Sequence, residues 1–262
     1  MKSQNLWLLV ATSLTFLSGC SRLESTSSPT VAVNSASRSM PNSTSSFTPT
    51  KLVTVTVGTT EYRIAAPNGE SETFLKAQIA PMSNGAVWVR IPHLDAMNGR
   101  PDQPYALYLS KKGETTLTPD KAKLLLTEPL YVIQNGQKEY IEVSSVSATN
   151  GVVLYNVFYI VPDAPQPFGP ELWMFDTNTN KNTKITDYRV ASGYHFSYGA
   201  SDGYLVYDKQ MPNASAGLDH AIVVLNLNTG QKVPVSPKIE SNGTVKFTIN
   251  GRDTSVQLTS VG

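Results

Sequence analysis

Residues 150–186 read NGVVLYNVFYIVPDAPQPFGPELWMFDTNTNKNTKIT, and their order of turns and apolar runs decides the fold. Asn150-Gly151 is the dipeptide that supplies the positive φ angles of a tight hairpin turn. The run VVLYNVFYI behind it is apolar at nearly every position, as a strand must be when both faces of its sheet are covered. A proline-bearing loop then leads to a second apolar strand, ELWMF. A turn of Asp, Asn and Thr follows, and a short strand ends at Thr186.

The same grammar recurs along the chain. NGAVWVRIPHL starts at Asn84 and is followed by PYALYLSKKGETTLT. DGYLVYDKQMP starts at Asp202 and is followed by HAIVVLNLNTGQKVPVS, and NGTVKFTINGRDTSVQL from Asn242 is truncated to a hairpin. Starts at 84, 150, 202 and 242 give an irregular period around the length of a four-stranded propeller blade. Residues 72–80 (ETFLKAQIA), 139–147 (EYIEVSSVS) and 194–200 (YHFSYGA) precede the turns and are predicted to be the innermost strands, completing four per unit.

The outer hairpins LWMFDTNTNKNTKIT and VVLNLNTGQKVPVS resemble those of TolB-type β-propeller repeats, over about 150 of the 262 residues. The resemblance implies an all-β chain of repeated antiparallel hairpins or four-stranded sheets, as a small propeller of four to five blades or an incomplete one. A β-sandwich or an irregular β-solenoid is the alternative. Three units and a fragment are few for a ring, which usually takes four to eight blades. The hairpin LVTVTVGTTEYRI (52–64) is therefore expected to complete the last blade with the C-terminal hairpin, hiding edges that invite aggregation. KAKLLLTEPLYVIQNGQ (121–137) fits no unit, and the one helix-like turn is expected there.

Read alone, residues 175–187 (FDTNTNKNTKITD) suggest a calcium loop, with Asp176, Asn178, Asn180, Asn182 and Asp187 at positions 1, 3, 5, 7 and 12. Such a loop needs Gly at position 6 and a bidentate carboxylate at 12, between two helices. Lys181 stands at position 6, Asp187 is shorter than the usual Glu, and the flank ELWMF reads as a strand. A shift of fifty residues sets Asp176 on Asn226, Asn178 on Asn228 and Asn180 on Gly230 without a gap. Asn is the non-glycine residue best suited to a left-handed position. The stretch therefore reads as a hairpin turn, and no metal or other cofactor is predicted.

The N-terminus carries an address. MKSQNLWLLVATSLTFLSGC has Lys2 as a short positive segment and an apolar stretch too short to span a bilayer permanently. It closes on Leu17-Ser18-Gly19-Cys20, which resembles the lipobox of bacterial lipoproteins. That resemblance implies removal of residues 1–19 as a signal peptide and a diacylglycerol thioether on Cys20. Cys20 is the only cysteine, so it has no disulfide partner. The expected location is the cell envelope, on the outer face of the cytoplasmic membrane or on the outer membrane. Ser21, where an Asp would retain the protein, favours the latter in a two-membrane bacterium. Residues 20–50 are dominated by Ser, Thr, Asn and Pro and read as a flexible tether to the folded domain, 51–262.

The formal net charge is +1, and loss of Lys2 with the signal leaves 20 basic and 20 acidic residues. A balanced chain without basic clusters has no electrostatic footprint for nucleic acid. The predicted partners are the bilayer, through acylated Cys20, and another envelope protein, a peptide or a glycan.

No nucleophile elbow, zinc-protease or phosphate-loop motif is present. His93, His195 and His220 lie far apart in sequence. In the aromatic stretch YHFSYGASDGYLVYD (194–208), packing between sheets is the simpler reading. The functional alternative places His195, Ser197 and Asp202 toward a central channel as candidate ligand-binding residues. The proline-stiffened loops at 92–104 and 162–170 are candidates for a common rim that recognises a peptide or protein. The expected function is a non-catalytic binding or scaffold module. The alternatives are an enzyme, or enzyme accessory, acting on envelope glycan or peptide, and a small-ligand sensor.

Overall fold

The computed structural model describes residues 51–67, 69–93, 100–162, 168–186, 196–213 and 217–261. All belong to a compact unit, Thr48–Gly262, and the other unit, Met1–Phe47, lies outside the described residues. The compact unit is all-β, and among the described residues every strand pairing is antiparallel except one.

Strands β1 (Lys51–Val57) and β2 (Thr60–Ala66) form a hairpin, followed by helix α1 (Glu72–Ala77). Then come β3 (Ile79–Met82), β4 (Gly85–Arg90), β5 (Ala106–Leu109), β6 (Thr116–Leu117) and β7 (Lys123–Thr127). A long meander holds β8 (Tyr131–Gln134), β9 (Gln137–Thr149), β10 (Val152–Ile160), β11 (Phe168–Asp176) and β12 (Lys181–Lys184). The chain ends with β13 (Phe196–Ser201), β14 (Tyr204–Asn213), β15 (Gly217–Asn226), β16 (Lys238–Ile239), β17 (Thr244–Ile249), β18 (Arg252–Gln257) and β19 (Thr259–Val261).

These strands make five sheets: β1-β2-β6, β3-β4-β5-β7, β12-β11-β10-β9-β8, β15-β14-β13-β19 and β16-β17-β18. Four buried clusters lie between consecutive sheets. Tyr62 and Ile64 of the first sheet meet Trp88 and Tyr108 of the second, whose rings stack at 4.9 Å. Val87, Val89 and Leu107 on the opposite face meet Val143, Tyr155 and Val157 of the third. Leu154 and Leu172 of the third meet Leu205 and Leu225 of the fourth, and Val206 and Val224 of the fourth meet Val245 and Val256 of the fifth. Alternate residues of one strand thus serve two cores, which is why β4, β10 and β14 are apolar on both faces. The end sheets alternate instead: Thr54, Thr56, Glu61 and Arg63 are exposed on the first, Lys246, Thr248, Asp253 and Ser255 on the fifth.

The predicted hairpin turns form at Asn150-Gly151 and Asp202-Gly203, where both residues have positive φ, and equally at Asn135-Gly136 and Asn250-Gly251. At Asn242-Gly243 only the glycine has positive φ, and the first repeat differs further. Ser83 and Asn84 make the turn there, and Gly85 already belongs to β4, with φ +151° and its Cα against the Ser110 carbonyl.

Three expectations are corrected. Residues 72–77 are helical rather than strand, because Ser71 Oγ accepts the Phe74 N–H as an N-cap and Glu72 pairs with Lys76 one turn on. Residues 121–137 are mainly β7 and β8, and only Lys121 closes a 3-10 turn, Pro119–Lys121. The 52–64 hairpin does not join the C-terminal hairpin: β2 pairs in parallel with β6, and it is β19 that adds to the fourth sheet beside β13.

Candidate functional site

A groove of about 800 Å³ opens where α1, β9, β13 and the β18–β19 segment converge. Its described lining is fourteen uncharged residues. One wall is the successive residues 144–149 of β9, another is Tyr198, Gly199 and Ala200 of β13, and Thr73 and Ala77 of α1, with Gln257 and Thr259, close the sides.

The β9 wall is shaped by a bulge. Asn156 pairs with Ser145 and Val157 with Val143, so Ser144 is an extra residue without a partner on β10. Its carbonyl accepts from Gln78 Nε2 at 2.6 Å, just past the end of α1, which ties the helix to the bulge. Asn156 is fully buried behind the wall. Its Nδ2 donates to Ser145 Oγ at 2.7 Å and to the Tyr198 hydroxyl at 3.2 Å, joining β9 to β13 across the floor. With its oxygen engaged, the Ser145 hydroxyl is left to donate, and Ser144 Oγ has no hydrogen-bond partner among the described residues.

The residues singled out in the sequence are placed as follows. Ser197 is half-buried on β13, one position before the groove-lining Tyr198. Asp202 is exposed in the β13–β14 turn with φ +52°, roughly 16 Å of strand away, so these two do not converge. His195, Asp187 and Cys20 lie outside the described residues. So do the middles of both proline-rich loops; of the first, the base is pinned where the His93 N–H donates to Asp102 Oδ1 at 3.0 Å.

Asp176 Oδ1 accepts the Asn178 N–H at 2.8 Å and the Thr179 N–H at 3.4 Å. Fifty residues on, Asn226 Oδ1 accepts from Asn228 at 2.9 Å and Thr229 at 3.3 Å. Asn180 and Gly230 both take positive φ, and the Thr177 and Leu227 amides donate to Gly151 and Gly203 in turn. The two turns are one motif. The backbone hydrogen bond from Asn178 is the main cause that holds the Asp176 carboxyl below the usual range. Among the described residues no three acidic, His or Cys side chains are grouped to hold a metal.

Two glutamates missed in the sequence are buried between the second and third sheets. Glu171 Oε2 accepts from the Tyr159 hydroxyl at 2.7 Å and Trp173 Nε1 at 3.1 Å, and Oε1 faces Lys184 Nζ at 3.3 Å. Glu128 Oε1 accepts from Tyr155 at 2.7 Å, and Asn182 Nδ2 donates to that same phenol at 2.7 Å. Burial pushes the Glu128 carboxyl up, and the neighbouring Glu171 charge adds to this against the Tyr155 hydrogen bond. The Tyr155 phenol is itself driven far up, first by burial, and stays a donor. Neither glutamate lines the groove.

A raised acid is protonated more readily in the folded than in the unfolded chain, so Glu128 withdraws stability as pH rises from the ordinary carboxylate range through its folded value. Glu128→Gln is therefore expected to unfold at higher denaturant at pH 7 than the wild type, with a smaller decline between pH 4 and 7. Glu142, raised by burial and then by Glu70, leaves a residual slope. An unchanged pH profile would refute the assignment.

Comparison of the chain with protein-family models, characterised proteins and solved structures gives no match.

Proposed function

We propose that the chain is a lipid-anchored envelope protein whose repeat domain binds a partner in the groove and performs no chemistry on it. The uncharged groove carries this reading. General acid–base work on a glycan or peptide needs a carboxylate or imidazole within reach of the reacting atoms, and the described lining offers only hydroxyls, one amide and apolar groups. The buried glutamates are engaged by Tyr, Trp and Lys partners elsewhere. The hairpin correspondence between residues 176–186 and 226–236 supports the TolB-type reading at the level of the repeat.

The anchor rests on the LSGC tetrad and the single cysteine. Among the described residues no helix is long and apolar enough to cross a membrane. Each methylene of an acyl chain on Cys20 adds about 0.8 kcal/mol of membrane affinity, so two chains hold firmly. Full-length Cys20→Ala is expected to move from the membrane to the soluble fraction, while the wild type incorporates radiolabelled palmitate. Equal retention of both in the membrane would sink the anchor.

A further inference from the structure

We infer that the groove takes an extended, uncharged peptide segment, which pairs main chain to main chain with the open edge of β9. This rests on the binding reading above and adds the class of ligand. A strand presenting a face to a cavity lines it with every second residue. Here residues 144–149 line it in unbroken succession, so the groove runs along an edge.

That edge is open. β8 pairs with β9 only as far as Tyr140, and the Ile141 amide donates to the Leu130 carbonyl. Over residues 142–149 β10 occupies one side of β9. Among the described residues, only the Gln78 side chain reaches the main chain on the other, at the bulged Ser144. Across the groove, β19 pairs with β13 only over residues 196–198, and beyond it the Gln257 carbonyl closes on Gly199, where a Cβ would stand 2.0 Å from it, so the β9 edge alone is the pairing edge. Unpaired amides and carbonyls along a strand are a template for another strand.

The side chains fit the same occupant. Ser147, Ala148 and Ala200 are small enough for a backbone to approach closely. Six residues of β9 offer roughly 20 Å of edge, enough for about six residues of peptide. With no charged residue in the described lining, a charged segment would lose hydration without gaining a partner there, so the ligand is uncharged.

The test uses the full chain in detergent and an end-blocked Thr-Val-Thr-Val-Thr-Val peptide, chosen for strand propensity and neutrality. Saturable binding is expected, at least tenfold weaker when alternate peptide nitrogens are methylated. Thr73→Trp and Thr259→Trp, exposed positions at the sides of the groove, are expected to weaken it at least tenfold with the unfolding midpoint unchanged. No binding of the peptide, equal binding of the methylated peptide, or binding of an N-acetylglucosamine oligomer in its place would overturn the inference. Cleavage of the bound peptide, seen by mass spectrometry, would remove the non-catalytic reading while leaving the strand-pairing site in place.

Discussion

Gly85→Ala is expected to destabilise the domain by about 3 kcal/mol, from backbone strain and overpacking together. The φ of +151° excludes an ordinary L-residue, and a Cβ there would stand 2.1 Å from the Ser110 carbonyl oxygen. That carbonyl cannot retreat cheaply. The Ser110 amide donates to the Ala86 carbonyl at 2.9 Å, and its Oγ accepts the Ala86 amide at 3.0 Å. Relieving the clash therefore breaks the last rung of the β4–β5 ladder. The measurement is equilibrium denaturation, with Gly58→Ala as the control. Gly58 also has positive φ, +61°, but nothing within 4 Å of a new Cβ, so it carries the milder strain of the left-handed region without the collision. Equal losses at both positions would show that the contact with Ser110 contributes nothing.

Glu171→Ala is expected to cost about 3 kcal/mol as well, for a different reason. The carboxylate is 1% exposed and gathers three donors. Removing it strands the Trp173 indole N–H between two sheets and takes a short-range acceptor from the Tyr159 hydroxyl. The Lys184 side chain is 38% exposed and keeps water as a partner, so most of the loss falls on the two aromatic donors. In the double variant Glu171→Ala with Tyr159→Phe the phenol that lost this acceptor is gone, and up to about 1 kcal/mol should return. Additive losses would mean that the hydroxyl finds another acceptor.

Much of the architecture was legible in the sequence. Strands apolar at nearly every position told correctly of sheets covered on both faces, and the fifty-residue shift found two turns with matching hydrogen bonds. Other signals were present but unread. In EYIEVSSVSA the apolar positions Ile141, Val143, Val146 and Ala148 slip by one residue at Ser144, which is the bulge that shapes the groove wall. Asn135-Gly136 carried the same turn chemistry as the recognised repeats, in a stretch set aside as irregular. ETFLKA is so short that Phe74, Leu75 and Ala77 imitate a strand, and its cap and single ion pair were the only local evidence for helix.

The expected closure failed because the choice of partner is not local. The polar outer faces of both end sheets show in hindsight why: each alternates like a surface sheet, with nothing prepared to pack against it. The groove was the least legible feature. Its described lining comes from α1, β9, Phe158 of β10, β13 and the β18–β19 segment, stretches of chain that only the folded stack brings together.

The pairing of β2 with β6 has a consequence for how the domain is assembled. The chain makes its first hairpin by residue 66, builds three strands of the next sheet, and only then returns to lay Thr116 and Leu117 beside Arg63 and Ile64. It leaves again at once to finish the second sheet with β7. This stitch binds two neighbouring layers through the covalent chain as well as through their shared core. The outermost layer cannot peel away as a detachable module, since lifting it pulls on the segment between β5 and β7. During synthesis the first hairpin must also wait for some fifty later residues before its third strand exists, so the end of the chain made first is not the end completed first.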